Sequence, residues 1–239
     1  MARYSAHLSL TEIGRAGQQR IRDSHVALIG VGGLGCATAQ YLVSSGVGAL
    51  TLCDFDTVAA SNLARQILYR TADVGRLKVE AAKKSLQALN PDNTLHTVAK
   101  RMADEDMQSL FPGCDLVIDT SDNYGTRLAV NRNCLALKKP WIMASCIRLE
   151  GQIMHLRPDL SEQPCYRCAY GDAPDTLEDC PGAGIFAPVA GIVGAAAAHF
   201  ALSSLAGKPL TAGMHLFDAA NWQWQSLRLG KQPGCRDCA

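Results

Sequence analysis

Over the first two-thirds of the chain, short apolar, β-branched runs alternate with longer stretches whose apolar residues recur every three or four positions. HVALIG (25–30), ALTLCD (49–54), TLHTVAK (94–100), DLVID (115–119) and PWIMAS (140–145) have the length and composition of buried strands. Between them, 34–46 reads as a helix stopped by Gly46, and 125–138 as another. A third helix is predicted over 75–90, with Leu77, Ala81, Leu86 and Leu89 as its apolar positions and Pro91 as its stop. Such alternation predicts an α/β fold with a mostly parallel, Rossmann-like sheet covered by helices on both faces. After residue 150 the rhythm changes. GQIMHLRP, MHLFDAA and WQWQSLRL read as strands without a helix between each pair, so antiparallel strands should continue the sheet. No repeat or low-complexity linker interrupts the chain. The expectation is therefore one domain over 1–239, with a loop-rich insert near 158–185.

One stretch tests the reading of a soluble protein. Residues 181–207, PGAGIFAPVAGIVGAAAAHFALSSLAG, contain no Asp, Glu, Lys or Arg and satisfy the length rule for a membrane span. They are dominated by Ala and Gly, include Pro188 and His199, and stand alone. A helix that is apolar on all sides and covered by protein on all of them is the expected form, with a subunit contact as one source of cover. Composition agrees. Residues of the apolar set make up 48% of the chain and charged residues 19%, ordinary for a globular protein. A net charge of +1, without a basic stripe or stacking aromatics, argues against nucleic acid and anionic membranes as partners. The N-terminus, MARYSAHLSL, has no apolar core of the leader type, which predicts a cytoplasmic protein. In that reducing compartment the ten cysteines read as thiols or metal ligands rather than disulfides.

In open α/β sheets, ligands bind beyond the carboxyl ends of the strands, and the chemistry-bearing residues cluster there. IGVGGLG (29–35) follows the first strand and carries Gly30, Gly32 and Gly35 in dinucleotide-fingerprint spacing, with Gly33 in addition. Its backbone N–H groups, at the start of a helix, suit phosphates. Asp54 ends the second strand, 24 residues beyond Gly30, where a carboxylate reaches ribose hydroxyls. Asp122, in DTSDN after the strand DLVID, is a second acid on the same rim; turn formation is the structural alternative for both. A nicotinamide site needs no metal, whereas Asp122 facing a polyphosphate suits Mg²⁺. Asn62 and Arg65 in SNLARQ (61–66), with Lys78 on the first turn of the next helix, add groups that stabilise charge developing on phosphates. Together these tilt the site towards ATP.

The pairs Cys165/Cys168 and Cys235/Cys238, in CYRC and CRDC, supply four thiolates, a closed tetrahedral set for structural zinc. Such a zinc staples the end of the sequence onto the insert. Two disulfides or a redox pair are the alternatives. Cys180, in EDCPGAG before the long apolar segment, is either a thiol activated near a helix N-terminus or an incidental one.

Taken together, RYSAHL, GQQ, GVGGLG, DFDTVAASNLARQI, Lys78, DTSDN, CYRC, CPGAG and CRDC resemble, in order and over essentially the whole chain, the bacterial ThiF/MoeB (HesA/MoeB/ThiF) family. These are ubiquitin-activating-like adenylyltransferases of sulfur-carrier proteins. The resemblance implies ATP with Mg²⁺ as the nucleotide, and the C-terminal Gly-Gly carboxylate of a small ubiquitin-fold carrier as acyl substrate. It implies a nucleotide-binding half over about 1–150 and a carrier-binding and zinc half over about 151–239. Carried over by position, Gly30, Gly32, Gly33 and Gly35 hold phosphate and Asp54 holds ribose, while Ser61, Asn62, Arg65 and Lys78 line the phosphates. Asp122, beside Asn123, holds magnesium. Arg65, Lys78, Asp122 and Cys180 are the expected catalytic set, Cys180 matching the family cysteine on the loop that crosses the carrier tail. A homodimer is implied, as is a sulfurtransferase or cysteine desulfurase partner. DFDTV, VGRLKVEAA and IRLEGQI resemble MoeB, whose carrier is the molybdopterin-synthase small subunit. GQQ, LFDAA and QWQSL resemble ThiF, which serves the thiamin-pathway carrier.

Two positions depart from the family pattern. RYxRQ has Ala6 where the second Arg belongs, and SNLQRQ has Ala64 where Gln belongs. By the resemblance, losing that arginine removes a cationic contact to the transferring phosphate; substitution by Arg3, a different seat for the nucleotide and slow turnover are the alternatives. A degenerate binding relative is therefore one alternative, and a dehydrogenase on the same fold is another, though the latter leaves the cysteine pairs and SNLARQ without a purpose.

Overall fold

A computed structural model describes residues 2–171, 184–208, 210 and 212–238. Its centre is one eight-stranded sheet, made of β1 (His25–Ile29), β2 (Ala49–Cys53), β3 (Thr94–Val98), β4 (Leu116–Asp119), β5 (Trp141–Ile147), β6 (Glu150–Leu156), β7 (Gly213–Asp218) and β8 (Gln223–Arg228). The spatial order is β3-β2-β1-β4-β5-β6-β7-β8. The first five strands are parallel and the last three antiparallel, so the change of rhythm at residue 150 marks the change of pairing. β1 and β4 are neighbours whose crossovers leave in opposite directions, to β2 on one side and β5 on the other. Their carboxyl ends open a crevice.

The α-helices are α1 (Ser5–Leu8), α2 (Gly14–Asp23), α3 (Gly33–Ser44), α4 (Lys78–Leu89), α5 (Asp104–Leu110), α6 (Tyr124–Ala136), α7 (Tyr166–Tyr170) and α8 (Ala187–Leu205). Period-two alternation along the strands feeds two cores. Val26, Leu28, Leu50, Leu52 and Ile118 face the layer of α3, α4 and α8. Ala27, Ile29, Val117, Trp141 and Met143 face α5, α6 and α7. Each fully buried Leu or Ile in these layers contributes about 1.5–3 kcal/mol of transfer free energy. α1, α2, α5 and α7 fall outside the helices predicted from periodicity. They are short, and α2 (GRAGQQRIRD) buries only Gly17, Gln18 and Ile21, too few apolar positions to register as a stripe.

α8 is the long apolar segment, shortened to 19 residues and with mean hydropathy 1.5. It lies against α3, β5 and β6, so its inner face is core as expected. Complete cover on all sides is not observed: 39% of its most apolar window is buried, and a stripe through Pro188, Gly191, Ile192, Ala195 and His199 remains at least partly open.

Candidate active site

The glycine loop connects β1 to α3, and its shape follows from two contacts that leave no room for side chains. Gly30 has φ +85°, and a Cβ there would lie 3.1 Å from the Thr120 carbonyl. A Cβ on Gly35 would stand 2.2 Å from Gly30 O, so the first turn of α3 packs directly on the end of β1. The earliest bond of that turn runs from Cys36 N–H to Gly32 O at 2.9 Å. The N–H groups ahead of it thus have no partner within the helix and form an anion-receiving end. The β4 turn is stitched to the same loop: Thr120 Oγ1 donates to Ile29 O at 3.1 Å and Gly30 O at 2.7 Å.

Asp54 directly follows β2 and reaches back into this loop. One carboxylate oxygen accepts Val31 N–H at 2.7 Å and the other accepts Asp56 N–H at 2.9 Å. The predicted ribose ligand thus also buttresses the glycine loop, with lone pairs remaining on a half-buried carboxylate. Beyond it, Ala60–Asn62 form a 3-10 turn, and Asn62 O accepts the N–H groups of Arg65 and Gln66. This winding brings Arg65 against Gly33, where a Cβ would lie 3.4 Å from Arg65 Cγ. Arg65 Nη1 donates to Ser61 O at 3.3 Å. Ser61 and Ala64 are exposed, and Asn62 is half-buried. Lys78 opens α4 with its side chain 8% exposed, and its ammonium meets Asp56 Oδ2 at 2.8 Å. Asp56, two residues after Asp54, was not singled out from sequence; the pattern DFD was its only local signal.

On the other side of the crevice, Asp122 is exposed at the β4 turn. Asn123 serves as N-cap of α6, its Oδ1 accepting Thr126 N–H at 2.9 Å. That is a structural role for a residue predicted at the nucleotide. Beneath the turn, the fully buried Asp119 accepts Ser121 N–H at 2.8 Å, and burial pushes its carboxyl up, opposed mainly by Arg127. Arg127 Nη2 donates to Ser121 O at 2.8 Å and so clamps the same turn. Neither residue carries a sequence signal beyond its type. Cys180 lies outside the described residues. Arg3, one candidate to substitute for the arginine missing at Ala6, donates to Leu89 O at the end of α4 at 3.2 Å.

The four cysteines of the two pairs come together. Their sulfurs all lie within 4.8 Å of one another. Contacts of 3.8 Å (Cys165–Cys168), 3.6 Å (Cys165–Cys235) and 3.4 Å (Cys168–Cys238) match the spacing of about 3.8 Å that zinc with Zn–S near 2.3 Å requires. Burial opposes ionisation of Cys235, yet the N–H groups of Asp237 and Cys238 hold its thiol down to about 7. The knuckle is fastened to the fold by Asn131 on α6. Asn131 Oδ1 accepts Tyr166 N–H at 2.9 Å, and its Nδ2 donates to Asp237 at 2.7 Å. An Arg167–Asp237 ion pair of 2.9 Å joins the two cysteine-bearing segments of the knuckle. The donor set and its spacing fit zinc, while the disulfide and redox alternatives gain nothing from four thiols in mutual contact.

The chain matches the ThiF family over residues 4–237. It is 40% identical over 240 residues to the molybdopterin-synthase adenylyltransferase of Salmonella typhimurium, covering 100% of this chain and 96% of that protein. It is 41% identical over 237 residues to the sulfur carrier protein ThiS adenylyltransferase of Escherichia coli, covering 99% and 94%. Among solved structures, E. coli MccB in complex with ATP superposes with a TM-score of 0.83 at 22% identity, over 98% of this chain and 76% of that one. At that identity the likeness concerns the fold.

Proposed function

This chain belongs to the ThiF family, and from that premise we propose that it adenylates the C-terminal Gly-Gly carboxylate of a ubiquitin-like sulfur-carrier protein at the expense of ATP. The observation that carries the reading is the convergence of the free N–H end of α3, Arg65 and the Asp122 turn on one crevice at the β1/β4 divergence. In the reaction, the carrier carboxylate attacks the α-phosphorus, the bond to the bridging oxygen breaks, and pyrophosphate leaves with its electron pair. An acyl-adenylate ready for sulfur transfer remains. The site needs to align and neutralise rather than to move protons.

In this reading the N–H groups from Gly32 to Gly35 receive phosphate, and Arg65 and Lys78 take up charge as it builds on the departing pyrophosphate, with Asn62 and Ser61 beside them. Asp54 orients the ribose. Asp122 would hold Mg²⁺, which supplies further charge neutralisation on the triphosphate. Cys165, Cys168, Cys235 and Cys238 would hold Zn²⁺, which supplies a structural cross-link. Residues 1–239 act as one adenylation unit, with the nucleotide half before about residue 150 and the carrier and zinc half after it. Leu149, Phe186, Trp222 and Trp224, exposed at 40%, 60%, 71% and 46%, support the second half as the carrier's seat. The half-open side of α8, flanked by the exposed Tyr41 and Ile67, supports a homodimer. A cytoplasmic location, a sulfurtransferase or desulfurase partner, and carriers of the molybdenum-cofactor or thiamin pathways complete the proposal.

Carrier-dependent ATP–pyrophosphate exchange, run over a panel of ubiquitin-fold proteins ending in Gly-Gly, tests it. Exchange with one carrier, lost when the terminal glycine is removed, is the expected result. ATP binding without exchange for any carrier would favour the binding-relative reading, for which Ala6 and Ala64 are the motivating substitutions.

A further inference from the structure

Behind the glycine loop lies a buried hydroxyl that the reaction chemistry does not require. Tyr69 is 3% exposed. It ends the winding that carries Asn62 and Arg65, and is anchored there by Tyr69 N–H to Gln66 O at 3.2 Å and by Ser85 Oγ to Leu68 O at 2.8 Å. Its hydroxyl leaves this segment and donates to Val31 O at 2.7 Å, inside the glycine loop.

The peptide geometry of the loop gives that bond its meaning. A trans peptide is planar, so fixing its carbonyl on one side directs its N–H to the other. The Gly30–Val31 peptide is held at both ends: Val31 N–H to Asp54 at 2.7 Å, and Gly30 O from Thr120 at 2.7 Å. The next peptide, Val31–Gly32, is held at its carbonyl by Tyr69, with the Cys36 thiol at 3.6 Å as a weak second donor. Its N–H is that of Gly32, at the very start of α3. Glycine offers little steric resistance to a peptide flip. After such a flip the Val31 carbonyl would face the crevice, where it repels an anion, and the Gly32 N–H would turn inward.

We propose that Tyr69 is a positioning residue for the nucleotide, acting through Val31 to hold the Gly32 N–H towards the phosphates and tying that loop to the Arg65 segment. This inference rests on the nucleotide reading above. Burial, reinforced by the neighbouring Cys36 and Asp54 side chains, raises the phenol well beyond its ordinary range, so the hydroxyl remains a donor across any working pH.

Tyr69→Phe isolates the hydroxyl, since the ring and its packing stay. Affinity for Mg·ATP, measured calorimetrically, is expected to fall about tenfold, as for one lost hydrogen bond to a group that binds a charged ligand. KM for ATP in pyrophosphate exchange should rise in parallel, with kcat at saturating ATP within about threefold of the parent. A merely structural role would lower the melting temperature and leave ATP affinity alone. Retained affinity in Tyr69→Phe, within twofold of the parent, would overturn the proposal. So would affinity retained in the Phe variant but lost in Tyr69→Leu, because that pattern assigns the residue to packing. A parent protein that does not bind ATP overturns the proposed function itself, and is thereby distinguished from a failure confined to Tyr69.

Discussion

Replacing Lys78 separates the site from the scaffold. The ammonium sits 2.8 Å from Asp56, with the lysine side chain 8% and the aspartate 49% exposed. Lys78→Met keeps the apolar stem and removes the charge. The carboxylate it abandons is half in water and is rehydrated, and the variant also sheds the desolvation penalty of a buried ammonium. The lost pair should therefore cost no more than about 1 kcal/mol of stability, a fall in melting temperature of about 2–4 °C for a chain of this size. Catalysis should suffer far more. A fixed cation facing charge that builds up in the transition state is worth about 2.7–4 kcal/mol, or 10²- to 10³-fold in rate. The assay pairs carrier-dependent ATP–pyrophosphate exchange with a thermal melt on the same preparation. Exchange within threefold of the parent, accompanied by a melting point lower by 8 °C or more, would refute the reasoning and make Lys78 a structural ion-pair partner of Asp56. Asp56→Asn provides a cross-check. It leaves the ammonium in place but unsteered, and should reduce exchange less than Lys78→Met does.

Two further outcomes follow from the geometry. Stripping zinc with a chelator, or substituting Cys168→Ser, should release the segment after residue 228 from α6 and lower the melting temperature by about 10 °C or more, since structural zinc sites contribute folding energy outright; elemental analysis should find one zinc per parent chain and none in the variant. The second concerns acid. His155 is 3% exposed, its Nε2 has no partner among the described residues, and burial, with His215 and His199 adding to it, pushes it down from 6.5 to about 3. The unfolded chain takes up this proton first, so stability is full above about pH 6.5 and drains as pH falls towards 3, at up to about 1.4 kcal/mol per pH unit. Urea unfolding should find about 2 kcal/mol lost between pH 6.5 and 5, and His155→Leu should lose that much less; an identical pH slope in the variant would refute the assignment.

Much of this was legible in the primary sequence because it is encoded locally. Buried parallel strands need continuous apolar runs, which is why β1, β2, β4 and β5 fall within a residue or two of their predicted bounds. A loop that must bend at Gly30 and admit α3 at Gly35 needs glycine at both positions, and two Cys-x-x-Cys pairs make a four-thiol set recognisable from spacing alone. The family resemblance rested on such local signals strung in order. What escaped was too short to be periodic, as in α7, or too poor in apolar positions, as in α2, or depended on partners far along the chain. Asp56 acquires its meaning from Lys78, and Tyr69 and Asp54 acquire theirs from Val31.

The sequence alone thus determined the strand–helix rhythm, the glycine loop and the two Cys-x-x-Cys pairs, because each is a property of neighbours in the chain. Only the tertiary structure decided which peptide carbonyl each buried hydroxyl meets, that Asn123 caps a helix, and that one side of α8 stays open. Those outcomes depend on hydrogen-bond directions and packing between elements tens of residues apart, and a linear pattern does not carry that geometry.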